Sequence, residues 1–138
     1  MKVAFYKGRS KPFNWFVSWW DSGPYSHCEI LGEHYGGNEY MCYSSSVADH
    51  GVRKKRIALD EHKWDIFETD ADMDFAMAWF NKHEGAKYDY LGLAGYLIRI
   101  IRGEKKRFVC SEAMAEMLGY KEAWRFSPNA VHSSLMRY

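Results

Sequence analysis

An α+β fold follows from three features of the chain. The first half is a succession of short segments rich in aromatic and β-branched residues, set apart by turn-forming Gly, Asn, Asp and Ser. The second half changes period, with apolar residues spaced as on a helix face and capping residues at the boundaries. Strands first and helices afterwards is the pattern of an antiparallel sheet packed against segregated helices. With 138 residues the chain has the length of one domain, taken as 1–138.

Residues 1–6 read as the first strand. Residues 11–20 carry Phe13, Phe16, Val17 and Trp20 at helical spacing, and Asp21-Ser22-Gly23-Pro24 closes that helix. A strand is expected over 26–31, a hairpin loop over 32–38 around Gly36-Gly37, and a return strand over 39–45. Ala48-Asp49-His50-Gly51 turns the chain into a strand over 52–59, and another over 64–68 follows a polar turn. Asp70 or Asp72 then caps a helix whose apolar stripe is read as Phe75, Ala78, Trp79 and His83, ended by Gly85. Residues 88–101 are apolar on most faces and predict a buried helix, followed by a charged loop. Phe108 or Val109 leads into a third helix that runs to Leu118, with Gly119 at its C-cap. Ser127-Pro128 opens the last helix through a Ser cap and Pro in the first helical position.

Composition narrows the function classes. Apolar residues are 47% and aromatic residues 17% of the chain, enough for a core, so disorder is not expected. A net charge of +1 gives no general attraction to nucleic acid or anionic membrane. The basic runs Arg53-Lys54-Lys55-Arg56 and Lys105-Lys106-Arg107 are short and read as solvated edges. The three cysteines Cys28, Cys42 and Cys110 argue against a disulfide framework and for a reducing compartment. No Cys-x-x-Cys and no paired histidine motif is present to hold structural zinc. The longest apolar stretch, 90–101, is too short to span a bilayer and is broken by Gly92 and Gly95. The first residues lack the apolar run of a signal peptide, so a cytoplasmic or virion-associated protein is expected.

Cys110 is the most informative residue. It opens a helix, where unpaired N–H groups and the positive end of the helix dipole favour a thiolate. Cys110, Ala113, Met114, Met117 and Leu118 share one stripe, so the thiol is aimed at the body of the protein. A nucleophile is placed this way, and so is a buried cysteine serving as a small hydrophobe. His27 alternates with Cys28 on a strand and shares a face with Glu29, the pattern of a polar site or of a solvated face.

Three segments in order carry a resemblance. They are Tyr25-Ser26-His27-Cys28-Glu29-Ile30, Tyr88-Asp89-Tyr90-Leu91-Gly92-Leu93 and Phe108-Val109-Cys110-Ser111-Glu112-Ala113. With Met41-Cys42-Tyr43-Ser44-Ser45-Ser46 and His50-Gly51-Val52-Arg53 between them, the stretch 25–130 resembles the circularly permuted branch of the NlpC-type papain-like cysteine hydrolases. This is the YiiX-like and lecithin-retinol-acyltransferase-like group, in compact form. The resemblance implies a papain-like sheet-and-helix fold, Cys110 as nucleophile and His27 as its base, with no metal or organic cofactor. It also implies a peptide, cell-wall or acyl substrate: an amide, a thioester or a lipid ester. The third residue departs from the family pattern. Glu29, Ser44, Tyr43 and Glu39 are all open for that place, as is a simple dyad. A binding module that keeps the fold without the chemistry is the competing reading. Asp89 reads as a helix cap or a cleft wall, and Trp15, Trp19 and Trp20 as core and rim residues or a substrate platform.

Overall fold

The computed structural model describes residues 1–8, 23–87 and 110–136. Five strands form one antiparallel sheet in the order β4-β3-β2-β1-β5. They are β1 (Lys2–Tyr6), β2 (His27–Gly36), β3 (Glu39–Ser46), β4 (Gly51–Ala58) and β5 (Trp64–Glu68). Helices α1 (Met73–His83), α2 (Cys110–Met117) and α3 (Pro128–Leu135) follow, with a short 3-10 turn at Ala123–Arg125 between the last two. The fold is α+β, as its segment pattern predicts. The helices expected over 11–20 and 88–101, with Asp89, the three tryptophans and the second basic run, lie outside the described residues.

The local chemistry at element ends is as expected. Asp72, in extended conformation, accepts a hydrogen bond from the Asp74 N–H at 2.8 Å and starts α1. Ser127 does the same for the Ala130 N–H at 3.0 Å, with Pro128 opening α3. Gly119 leaves α2 with φ +80°, the left-handed conformation glycine adopts without a Cβ clash.

Two expectations about these elements are corrected. The hairpin between β2 and β3 is tighter than a 32–38 loop, because β2 continues to Gly36. Register shifts between Leu31 and Gly36 absorb the irregular stretch as a bulge, and Gly36 and Gly37 supply positive φ for the turn. His34 closes it by stacking on Tyr40 with ring centroids 4.3 Å apart and donating from Nε2 to the Gly37 carbonyl at 2.8 Å. The buried face of α1 is also rotated from the expected stripe. Ala76 and Phe80 are fully packed, whereas Ala78 is exposed and Phe75 is 51% exposed. The helix turns the other side because Phe80 meets Tyr43 edge-on, centroids 4.8 Å apart, on the sheet.

Buried residues lie on both faces of the sheet. Val3, Phe5, Cys28, Ile30 and Val52 face the helices, where Ala76, Phe80, Ala113, Met114, Met117 and Val131 complete the larger core. Ala4, Leu31, Tyr40, Cys42 and Leu59 form a second cluster on the other face, with Ile57 and Trp64 against it. Helix α2 packs against β2 and β3 as well as against α1 and α3, which makes it the central helix.

Candidate active site

Helix α2 begins at Cys110 and strand β2 begins at His27, and the two starts meet. The stripe read from the sequence explains the helix side of this encounter: Cys110, Ala113, Met114 and Met117 are all buried toward the sheet. On the strand side, pairing with β1 sets Tyr6 beside His27, Phe5 beside Cys28 and Ala4 beside Glu29. Cys28 joins the helix-side core, while Glu29 shares the opposite face with His27.

Strict alternation would keep the His27 ring away from a helix on the far face. The ladder between β2 and β3 resolves this. Its register begins at Ile30↔Tyr43, so the first three residues of β2 lie beyond it. There the Cys28 backbone is free of a β3 partner strand, and its N–H donates to the Cys110 sulfur. The Cys28 thiol and the His27 ring are both near enough to the same sulfur to shift its titration. A sulfur at this open edge is within reach of side chains from both faces of the strand.

The imidazole is held from its other side. His27 Nε2 donates to Glu29 Oε1 at 2.8 Å, which leaves Nδ1 for the thiol. The Glu29 side chain is fully buried, and it is charge-paired twice over. Arg53 reaches from β4 with both ends of its guanidinium fork, Nη1 to Oε2 at 2.8 Å and Nη2 to Oε1 at 2.6 Å. Arg53 is itself held at Nε by Asp49 Oδ2, 2.8 Å away in the turn before β4. Trp64 lies on the same face, its ring centroid 6.3 Å from that of His27.

These contacts set the charges. Hydrogen bonding from the Cys28 thiol is the largest influence on Cys110, and with the imidazolium of His27 it outweighs burial and holds Cys110 well below the ordinary thiol range. Burial alone would depress His27, but the Cys110 thiolate and Glu29 together push it up to about 10. Burial would likewise raise Glu29, and the bonds from Arg53 and His27 hold it below the usual carboxylate range instead. Cys28 goes the opposite way, raised by burial and by the neighbouring thiolate, so it stays a neutral donor. All four shifts run in the direction of a thiolate–imidazolium pair backed by a carboxylate–guanidinium pair.

The other residues weighed for the third place are set apart from the ring. Ser44 bonds to the strand backbone. Its hydroxyl donates to the Cys28 carbonyl at 2.7 Å and continues the β2–β3 tie where the backbone ladder has stopped. Tyr43 is turned to the helix side against Phe80. Glu39 stands at the other end of β3 and accepts from Arg56 Nε at 2.7 Å. Cys42 is buried in the second cluster, and burial pushes its thiol up to about 12.

Sequence reading missed Arg53, which it took as part of a solvated basic run. Lys54, Lys55 and Arg56 are indeed exposed, but the Arg53 side chain is only 15% exposed. The signal available was register: Arg53 pairs with Ser44, and Ser44 bonds to β2 next to Glu29, so one face carries all three. The proximity of Cys28 to Cys110 was also missed.

Among the described residues no group of three or more His, Cys, Asp or Glu side chains could hold a metal ion. No helix among them is long and apolar enough to cross a membrane. No protein-family model and no curated protein matches the chain.

Proposed function

We propose that the chain is a papain-like cysteine hydrolase acting by covalent acyl transfer, with Cys110 as nucleophile, His27 as acid–base and Glu29 as the residue that orients the ring. One observation carries this reading. A helix-start thiol lies against an imidazole whose far nitrogen is bonded to a fully buried carboxylate. That is the nucleophile–base–orienter arrangement of covalent catalysis. The order of the motifs along the chain supports the permuted NlpC-type assignment.

The chemistry follows from the resting charges. The Cys110 thiolate attacks the substrate carbonyl carbon, forming a C–S bond and a tetrahedral oxyanion. As that oxyanion collapses, the bond to the leaving group breaks and His27 Nδ1 hands it a proton. His27, now neutral, takes a proton from water as the water attacks the thioester. The C–S bond then breaks, releasing a carboxylic acid and restoring the thiolate–imidazolium pair. Glu29 keeps the ring in the tautomer and orientation this cycle needs and steadies each imidazolium.

Peptide or cell-wall amides are the first substrate class, and thioesters and lipid esters follow the same steps. The test is acylation of the protein by a small activated ester, p-nitrophenyl acetate. An initial burst of nitrophenolate with acetyl found on Cys110 by mass spectrometry is expected, and Cys110→Ala abolishes both. Absence of the burst, with all three cysteines equally unmodified, would leave the fold serving as a binding module.

A further inference from the structure

Arg53 stands just outside the triad proposed above, and the inference drawn from it rests on that reading. Four charged groups meet at the start of β2, and they balance. Cys110 and Glu29 contribute two negative charges, His27 and Arg53 two positive ones. The pairs share atoms as well as charge. Glu29 Oε1 accepts from His27 Nε2 at 2.8 Å and from Arg53 Nη2 at 2.6 Å, so the carboxylate is the hinge between the two cations. The second oxygen, Oε2, is taken by Arg53 Nη1.

We infer that Arg53 is a positioning residue of this site: its fork fixes the Glu29 carboxylate toward His27, and its charge offsets the second buried anion so that Cys110 can rest as a thiolate. The argument is one of charge count in a poorly solvated place. A site holding thiolate, imidazolium and carboxylate alone carries one uncompensated negative charge. Burying such a charge is unfavourable, and the site relieves it by binding a proton. Of the two anions, the thiolate is the more basic by its ordinary value, so Cys110 takes that proton. Arg53 removes the need.

The remaining groups around these four do not supply the missing positive charge. Cys28, on the helix side of β2, and Cys42, on the Glu29 face of β3, are thiols raised by burial and carry no positive charge. Ser44 is committed to the Cys28 carbonyl. Asp49 adds a negative charge on the outer side of Arg53, where Lys55 Nζ approaches it at 3.5 Å. Asp49 thereby holds the guanidinium from behind, and links the turn before β4 to the orientation of the imidazole.

The experiment is the pH dependence of Cys110 alkylation by iodoacetamide, read by peptide mass spectrometry, in the full chain and three variants. In Arg53→Met the midpoint is expected to rise, because the Glu29 carboxylate that Arg53 pairs with is left uncompensated beside His27. In Arg53→Lys, which keeps the charge and loses the fork, it stays near the wild-type value. In the double variant Arg53→Met with Glu29→Gln one charge of each sign is gone, and the midpoint returns toward wild type. Rescue by removing the second partner is an outcome that a merely structural Arg53 would not give. Where Arg53→Met does not fold, Arg53→Gln, which keeps a donor to Glu29 without the charge, makes the same comparison. A low wild-type midpoint that is unmoved by Arg53→Met, or a double variant no different from the single one, would overturn the role of Arg53 alone. A wild-type midpoint at the ordinary thiol value would overturn the underlying hydrolase reading instead.

Discussion

Replacing Glu29 with alanine asks whether the carboxylate is as deeply embedded as its geometry implies. The side chain has no solvent exposure and takes three hydrogen bonds, one from His27 and two from Arg53. Removing one partner of a buried charge pair costs about 3–5 kcal/mol, because the other charge is left without compensation. Here Arg53 keeps its bond to Asp49, and its side chain retains 15% exposure, so the lower part of the range applies. A loss of about 3–4 kcal/mol is expected. For a chain of this length that lowers Tm by about 10 °C. The assay is urea unfolding followed by circular dichroism at pH 7, with Glu29→Gln as a milder companion. Glu29 is held below its ordinary value of 4.5, so its stabilisation is fully present above that pH and fades as pH falls through the lower folded value. The difference between wild type and Glu29→Ala must therefore be complete at pH 7 and narrow in acid. A loss under about 1 kcal/mol at pH 7, the level of an exposed ion pair, would refute the picture of a buried, doubly bonded carboxylate.

Two further outcomes follow from the same structure. Cleavage of an amide substrate should decline as pH rises through about 10, where His27 loses the proton it must give the amine leaving group, and this limb is read from kcat/KM against pH. Gly51 has φ +150°, and a Cβ there would lie 2.0 Å from the Ala86 carbonyl oxygen, which accepts from the Val52 N–H at 2.8 Å. Gly51→Ala should cost about 1–3 kcal/mol in urea unfolding and loosen the turn that carries Asp49.

Local signals in the sequence were enough for most of the architecture. Strand β5 is bounded by its polar flanks, and the caps at Asp72 and Ser127 are readable because one side chain meets one nearby N–H. What local pattern could not show depends on partners far along the chain. The hairpin bulge between Leu31 and Gly36 is a property of two strands in register. The buried side of α1 is chosen by Tyr43 on the sheet, thirty-seven positions before Phe80, and not by the helix's own apolar count. Arg53 is the sharpest case. In sequence it belongs to a charged run, and only the β3–β4 register brings it beneath Glu29 while its neighbours stay in water. Cys110 and His27 stood out as candidates from helix position, strand alternation and the order of the motifs. Among the alternatives for the third place, Glu29 is the one whose carboxylate lies 2.8 Å from the ring, a contact the sequence pattern alone does not show.

The most direct test of the account is the titration of Cys110 by alkylation in wild type and in His27→Ala. The account predicts a wild-type midpoint well below the roughly 8.5 of a free thiol, with Cys28 and Cys42 unreactive over the same range. In His27→Ala the midpoint of Cys110 should move up toward that ordinary value. A wild-type midpoint already at or above it, unaffected by His27→Ala, would contradict the thiolate–imidazolium pair on which the proposed chemistry stands.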